Sequence, residues 1–255
     1  MIRGLYTAAS GMLASMRRME LVTNNLANAQ TTGFKQDRAA LSTFDEMMIL
    51  QDGSVAPPGR HAELGELGMG AVAEEPMIDF TQGSLQQTDR VLDMALEGPG
   101  FFTVQAQDGS RYTRDGAFTR DATGRPTTGE GHLVLGVDGN PIQVPPGELT
   151  ARADGTLAVD GQEIGRLAIV EFTAEQPLKK VGSNQFVARI EGDAPRAATE
   201  TAVRQGAIEA SNVDMAGAQM TMMELQRAYQ AAQRLIQYQD EMVGRAVNEI
   251  ARPTS

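Results

Sequence analysis

The sequence contains no cysteine and no tryptophan, and aromatic residues make up only 5% of its 255 residues. Without cysteine, no disulfide can form and no thiol is available as a nucleophile or a metal ligand. This absence suits a cytoplasmic protein and an exported one equally, so it does not fix the compartment. No stretch approaches the roughly 18 apolar residues that a transmembrane helix needs, and we therefore expect no integral membrane span.

Motifs for catalysis and ligand binding are also scarce. The two histidines, His61 and His132, stand far apart in the sequence, and neither belongs to a zinc-binding spacing such as HExxH. Gly65, Gly68 and Gly70 form neither a GxGxxG nor a Walker pattern, and the Asp-Gly pairs of the chain lack the spacing of an EF-hand loop. We therefore predict no catalytic residue, no cofactor and no metal site, and expect a protein that is not an enzyme.

The charge is strongly acidic and unevenly distributed. The formal net charge is -11, whereas residues 1–44 hold five basic side chains against two acidic ones, which gives +3 and leaves -14 for the remainder. Nucleic acid and anionic lipid both favour surfaces rich in Lys and Arg. Nucleic acid is therefore not an expected partner.

Both ends of the chain carry apolar or small residues at alternating spacings of three and four, which predicts an amphipathic helix with a narrow seam at each end. We expect helices over about residues 2–29 and from Ser211 or Asn212 to about 251. A lone helix of this kind leaves its apolar stripe in water, so the two ends are predicted to pair with each other or with other chains. The seam residues are Ile2, Leu5, Ala9, Met12, Met16, Met19, Thr23 and Leu26 at one end, and Met215, Ala218, Met222, Leu225, Tyr229, Ala232, Ile236, Gln239, Val243, Ala246 and Ile250 at the other.

The middle of the chain has a different pattern, with short runs of Val, Ile, Phe, Thr and Leu separated by Asp-Gly pairs that are typical of hairpin turns. The predicted fold class is α+β, in which a predominantly antiparallel β-domain is inserted between N- and C-terminal helices that pair as a coiled-coil-like element. We expect an N-terminal helix and turn over 1–44, an extended Gly/Pro-containing linker over 45–76, a β-domain over 77–205 and a C-terminal helix over 206–255.

Methionine and asparagine near the ends each allow two interpretations. The methionines fit either adaptable packing or a metal- or peptide-binding groove, and packing is the more common use of thioethers on a helix seam. Asn24, Asn25 and Asn28 suit the end of a helix. Asn24 and Asn28 also lie four residues apart on one helix face, where they could hydrogen-bond to neighbouring chains and fix their register.

Several motifs occur in the order found in one known family. The segments 24–28 (NNLAN) and 31–35 (TTGFK), then 98–102 (GPGFF) and 112–118 (YTRDGAF), and finally 209–214 (EASNVD) and 224–229 (ELQRAY) resemble the bacterial flagellar hook and basal-body rod proteins. The similarity covers essentially the whole chain. The Gly/Pro-containing segment between Lys35 and Gly98 favours a distal rod subunit of that family, with a proximal rod subunit as the alternative.

This resemblance implies a structural protein of the flagellar basal body, outside the cytoplasmic membrane. Members are exported unfolded by the flagellar type III apparatus without a cleaved signal peptide, and the start of this sequence has no uninterrupted apolar run of a secretory signal. They polymerise with themselves into a hollow helical drive shaft, which transmits torque and conducts exported subunits, and they contact neighbouring rod and hook proteins. The paired terminal helices would form the inner tube layer and the β-domain would face outward.

From the periodicity and the resemblance together we predict a set of assembly-interface residues, among which the asparagines, Gly33 and Phe34 set the turn out of the helical layer. The set is Leu5, Met12, Met16, Asn24, Asn25, Leu26, Asn28, Gly33, Phe34, Met222, Leu225, Tyr229, Ile236 and Val243. A secreted adhesin or binding module on a coiled-coil stalk would share the helices and the acidic middle. A hydrolase with an unusual site would rest only on scattered Asp and Glu.

Overall fold

The computed structural model describes residues 2–43, 47–50, 63–67, 71–73, 75–172, 178–189 and 195–250. Helix α1 (Ile2–Ala27) and helix α2 (Met215–Ile250) flank a long run of short, mostly antiparallel strands. The predicted α+β fold class is therefore confirmed. Neither helix is long and apolar enough, over the residues described, to cross a membrane.

The strands before residue 100 are β1 (Asp37–Arg38), β2 (Leu41–Thr43), β3 (Met47–Leu50), β4 (Glu63–Leu67), β5 (Ala71–Ala73), β6 (Met77–Ile78), β7 (Leu85–Gln87) and β8 (Met94–Glu97). Those up to residue 160 are β9 (Phe101–Ala106), β10 (Gly109–Thr113), β11 (Thr119–Arg120), β12 (Pro126–Thr127), β13 (Leu133–Val134), β14 (Leu149–Ala151) and β15 (Thr156–Val159). The remaining strands are β16 (Gln162–Arg166), β17 (Ile169–Glu171), β18 (Leu178–Gly182), β19 (Gln185–Ala188), β20 (Arg196–Ala197), β21 (Ala202–Gln205) and β22 (Ala207–Glu209).

The chain divides into two compact units. The helical unit comprises Met1–Leu26, Asp37–Met77 and Ala216–Ser255, and the β-unit comprises Ala27–Gln36 and Ile78–Met215. The segment that follows α1 thus belongs to the β-unit rather than to the helices. The four predicted domain ranges remain a prediction. Part of the expected linker is strand in the structure, because β4 pairs antiparallel with β3 and β5 with β2.

The two helices of the helical unit lie against each other. Gly4 faces Gln239 so closely that a β-carbon on Gly4 would overlap the amide end of that side chain. Gly4 is 23 residues before the end of α1 and Gln239 is 24 residues after the start of α2, which is about 35 Å in both cases at 1.5 Å per residue. The segment after α1 is hydrogen-bonded to the segment before α2, because Asn212 N donates to the Phe34 carbonyl at 3.3 Å. The end of α1 therefore lies near the start of α2, and the two helices run antiparallel.

The core of the β-unit is organised around strand β9. Its sheet has the order β11-β12-β13-β9-β10-β19-β18, and β17 also pairs with β9. Because side chains alternate along a strand, Phe102 and Val104 enter one apolar cluster with Phe118, whereas Phe101 enters a second cluster with Phe186. Strand β9 is therefore buried on both faces and contributes side chains to both apolar clusters of the unit.

The C-terminal strands complete this unit. Strand β21 pairs antiparallel with β8, and β22 pairs antiparallel with β7, which places Glu209 opposite Leu85. These pairings bring residues that are more than 100 positions apart into adjacent strands. They determine where the Glu209 side chain lies.

The Asp-Gly pairs do not all form hairpins. Asp108-Gly109 joins β9 to β10, and Asp160-Gly161 joins β15 to β16 with positive φ at both residues. Asp115-Gly116 was predicted as a hairpin turn, but it lies in the loop between β10 and β11, two strands that do not pair. Gly116 is required there by close packing, because a β-carbon would overlap the Met94 carbonyl oxygen.

Candidate assembly faces and a buried ion cluster

The turn after α1 is fitted tightly into the β-unit. Thr31 N donates to the Asn28 carbonyl at 3.1 Å, and Gly33 adopts a φ of 65°, which favours glycine. Gly33 N donates to the main-chain carbonyl of Glu209 at 2.7 Å. A β-carbon on Gly33 would overlap the backbone of Arg114 and Asp115. Both the conformation and the packing therefore require glycine.

Three charged side chains meet beneath this turn. Lys35 Nζ lies 2.6 Å from Glu209 Oε1, and both side chains are fully buried. Arg114 Nη1 lies 3.3 Å from Glu209 Oε2, and its side chain is 2% exposed. Lys35 also donates to the Thr81 carbonyl, and Arg114 donates to the Gly98 carbonyl, each at 2.7 Å. With the two carbonyl groups, the cluster is built from five separate parts of the sequence.

Burial changes the protonation behaviour of the cluster. Desolvation lowers the pKa of Lys35, and the nearby Arg114 lowers it further, whereas the Glu209 carboxylate opposes that change. Desolvation likewise lowers the pKa of Arg114. Two cations share one carboxylate. The charged forms of Lys35 and Arg114 are therefore both stabilised by Glu209.

Further polar contacts hold the turn on the β-unit. Thr32 Oγ1 donates to Asp115 Oδ1 at 2.8 Å, and Asn184 Nδ2 donates to the Thr32 carbonyl at 2.8 Å. Lys180 Nζ donates to the Lys35 carbonyl at 2.6 Å and lies 4.3 Å from the centre of the Phe34 ring. Burial raises the pKa of Asp115, although hydrogen bonds from Ala117 N and Thr32 oppose the shift.

Asn212 was predicted as one of two possible caps for α2, and the structure gives its side chain another role. Its Oδ1 accepts a hydrogen bond from Gln36 N at 2.8 Å, while its Nδ2 donates to the Asp79 carbonyl at 2.8 Å. These contacts join the segment before α2 to the turn after α1. Helix α2 begins later than predicted, at Met215.

Asn25, inside the helical unit, is also satisfied within the chain. Its Nδ2 donates to the Asp37 carbonyl at 2.8 Å, and its Oδ1 accepts from Asp37 N at 3.0 Å. The Asn25 side chain is therefore bound reciprocally to the backbone N–H and C=O of one residue, Asp37, at the start of the strand that follows the turn. This contact fixes the route of the chain out of α1.

The predicted interface residues fall into three groups by exposure. Asn25, Gly33, Phe34 and Leu225 are buried. The half-buried members are Met12, Leu26, Asn28, Met222, Tyr229 and Ile236. The exposed members are Leu5, Met16, Asn24 and Val243.

The buried stripe of α1 differs from the predicted seam. Ala8 and Ala14 are buried, whereas Leu5 is 41% and Met16 42% exposed. Small residues permit close approach of two helices, and the stripe that faces inward begins with Gly4, Ala8, Gly11 and Ser15, one position before the predicted one. On α2 the predicted stripe from Met222 to Gln239 is the one that is half-buried or buried.

Both helices carry a second set of apolar side chains on the surface, outside the two predicted seams. It comprises Tyr6, Leu13, Met220, Met223, Leu235, Tyr238 and Met242, which are between 48% and 69% exposed. A single isolated apolar residue on a surface is ordinary, but a helix with apolar residues on two faces has a surface suited to a partner. The sequence feature that could have identified these residues is the presence of apolar side chains on each helix outside the three-and-four spacing of the seam.

Of the two histidines considered for catalysis, only His132 is among the described residues. His61 lies outside the described residues, and His132 is paired with Glu130 at 3.5 Å. Across the described ranges, no group of three or more His, Asp or Glu side chains is placed to hold a metal ion. The groove of about 350 Å³ beside Arg90, Val91 and Arg120 contains no nucleophile with an adjacent base.

Comparison with known proteins gives matches along most of the chain. Residues 5–35 match the model of the flagella basal body rod protein, residues 95–162 the flagellar hook protein FlgE/F/G D1 domain, and residues 204–249 the flagellar basal body rod FlgEFG protein C-terminal region. Lys35, Arg114 and Glu209 each fall in a different one of these three segments.

Full-length relatives agree with these matches. The chain is 33% identical to the flagellar hook-basal body complex protein FlhO of Bacillus subtilis, over 99% of this chain and 100% of the relative. It is 31% identical to the flagellar basal-body rod protein FlgG of Bacillus subtilis, over 97% and 99% respectively. It is also 31% identical to the flagellar basal-body rod protein FlgF of Caulobacter vibrioides, over 99% of both chains. Identity of this extent from end to end shows that the chain belongs to the bacterial flagellar hook and basal-body rod protein family.

Proposed function

We propose that this protein is a structural subunit of the bacterial flagellar basal-body rod. The observation that carries the proposal is the second apolar face on the paired helices, in a chain whose relatives are named flagellar basal-body rod proteins. An enzyme or a monomeric binding module gives no reason to expose Leu13, Leu235, Tyr238 and Met242 together. A subunit packed among copies of itself does give one, because each exposed face is buried by a neighbour.

The proposed assembly is a hollow helical homopolymer. Contacts between different patches on successive subunits do not close on themselves in general, and they then generate a tube or filament. Stiffness against torque would be the sum of many small packing contacts along the helices. The subunit would reach this site through the flagellar export apparatus and would contact neighbouring rod and hook proteins, outside the cytoplasmic membrane.

The individual residues take two different roles in this proposal. Helix α2 is held against α1 within one subunit by Leu225, Met222, Tyr229 and Ile236. In this proposal the exposed Leu5, Met16 and Val243 contact neighbouring subunits. Asn24 and Asn28 remain candidates for fixing the register between chains, and Met12 and Leu26 lie at the boundary of the two surfaces.

Within the rod we propose the distal position, with a proximal position as the alternative. The relatives include both FlgG and FlgF proteins at 31% identity, so identity does not separate the two. The long segment between Lys35 and Gly98 favours the distal form. Labelled protein located by electron microscopy in purified basal bodies separates the two positions, because they lie at different heights along the rod.

The assembly proposal is tested by placing a charge on the exposed face. Tyr238 is 66% exposed, and Tyr238→Glu is expected to leave the monomer folded but to prevent rod assembly and motility, because a carboxylate would be buried without a partner. Gln237→Glu is the matched control, since it adds the same charge at an exposed neighbouring position. Normal rods in cells that carry only Tyr238→Glu would contradict the proposal. Electron microscopy of the purified protein distinguishes tubes from the discrete trimers of a stalked adhesin.

A further inference from the structure

The ion cluster of the β-unit joins parts of the chain that are far apart in sequence. Lys35 and Glu209 are separated by 174 positions, and Arg114 and Glu209 by 95. Two cations and one carboxylate are almost completely removed from water there. A net positive charge in a protein interior is an expensive arrangement, and well-packed apolar side chains are often at least as stable. Stability alone therefore does not account for the cluster.

Glu209 makes more of the connections than either cation. Its Oε1 accepts from Lys35 Nζ and from Gly83 N, at 2.6 and 2.8 Å, and its Oε2 accepts from Arg114. Its main-chain carbonyl accepts from Gly33 N at 2.7 Å. One residue of strand β22 thus holds the turn after α1, the loop before β7 and the end of β10.

The two cations depend on that carboxylate in unequal ways. Arg114 retains the Gly98 carbonyl and the face of the Phe101 ring, at 4.9 Å, although its buried Nε has no hydrogen-bond partner. Lys35 retains only main-chain oxygen, at Thr81. Without Glu209 neither buried cation would have a carboxylate in direct contact, which is a strongly unfavourable state.

We propose that Glu209 is a latch, whose carboxylate allows the turn over residues 31–36 to dock on the β-unit only when strand β22 is already in place. The N-terminal turn and the C-terminal segment are then correctly positioned together or not at all. The charged cluster specifies one arrangement of three distant segments, in place of the many that apolar packing would tolerate. The latch depends only on contacts within one folded chain. Its test is therefore independent of the proposal that the protein assembles into a rod.

Amide hydrogen exchange in the full-length monomer tests the latch. The reporters are Gly33 N, which donates to Glu209, and Gln36 N, which donates to Asn212; the internal controls are Thr103 N and Leu135 N, which are bonded within the sheet region. In Glu209→Gln, the reporters are expected to exchange at least about tenfold faster, while the controls change little, because only the docked turn opens.

Lys35→Met is the matched variant. It removes one cation and leaves the Glu209–Arg114 pair and the Gly33 hydrogen bond, so the reporters are expected to keep their protection. Unchanged reporter exchange in Glu209→Gln, or equal loss in both variants, would overturn the latch.

A third variant decides the case in which Glu209→Gln fails to fold. The triple substitution Lys35→Met, Arg114→Met and Glu209→Met removes every charge of the cluster and supplies apolar packing. The latch predicts protected control amides and fast reporter amides in this protein. Reporter protection equal to that of the unmodified chain would show that packing alone docks the turn, and the proposal would be wrong.

Discussion

Gly33 and Asp115, 82 positions apart, are packed so closely that no side chain fits between their backbones. The main chain after α1 therefore touches the loop after β10 directly. This contact positions Thr32 to donate its hydroxyl to the Asp115 carboxylate. The TTGFK motif is thus a docking element of the β-unit as well as the end of a helix.

Gly33→Ala is expected to destabilise the protein severely. Gly139→Ala is the control, because Gly139 has a similar φ of 76° but nothing within 4 Å of a β-carbon. The backbone conformation alone costs about 1 kcal/mol, so Gly139→Ala should lower the free energy of unfolding by about that amount. Gly33→Ala adds the overlap with the Asp115 backbone and should lower it by about 3 kcal/mol or more. Urea unfolding of both variants measures the difference, and equal losses would contradict this packing.

Asp115→Asn is expected to make stability less sensitive to pH. Burial holds the pKa of Asp115 above its ordinary value of 3.8, and the nearby Asp93 carboxylate contributes to the same shift. The folded state therefore binds this proton more tightly than the unfolded state does. Stability from this group is present below pH 3.8 and is lost as pH rises through the folded pKa.

Asparagine keeps an oxygen that can accept from Thr32 and Ala117. The variant should therefore be more stable than the unmodified protein at pH 7, and the difference should disappear below pH 3.8. Thermal unfolding across this pH range measures it. A variant that is less stable at pH 7 would show that the charge itself is needed at this position.

Asn25→Ala is expected to loosen the exit from α1. The substitution removes both hydrogen bonds to Asp37 and leaves that backbone N–H and C=O to find other partners. A loss of about 1 to 3 kcal/mol in the free energy of unfolding is expected. Gln237→Ala, at an exposed helical position, should change stability by less than about 0.5 kcal/mol. Similar small effects for both variants would mean that the Asn25 contacts contribute little.

Gly11→Ala is expected to stabilise the monomer. Gly11 lies in the interior of α1 and a β-carbon there would meet nothing within 4 Å, so alanine should gain about 1 kcal/mol in helix stability. Gly4→Ala should gain less, because its β-carbon must displace the end of the Gln239 side chain. Unfolding of the two purified variants tests the order. A stabilised Gly11→Ala monomer that fails to form rods would place Gly11 in a contact between subunits.

The periodicity of the sequence was sufficient to predict both helices and the β-character of the middle. Apolar alternation and Asp-Gly turns are local signals, and they were sufficient to indicate the short antiparallel strands of this region. Strands β21 and β22 were not predicted, since their partners β8 and β7 lie more than 100 positions earlier. On α1 the large residues suggested a seam at Leu5 and Met16, whereas the stripe of small residues that includes Gly4 and Ala8 is the one that faces inward.

The sequence by itself determined that two amphipathic helices flank an antiparallel β-domain along the chain, since the helix and strand periods depend on residues that are close in sequence. It also contained the ordered motifs of the flagellar rod and hook family. Only the tertiary structure decided that Lys35, Arg114 and Glu209 meet in the interior. Each of these residues alone is expected on a surface, because an isolated charge is costly to bury. Long-range strand pairing supplies the partners that make their burial possible.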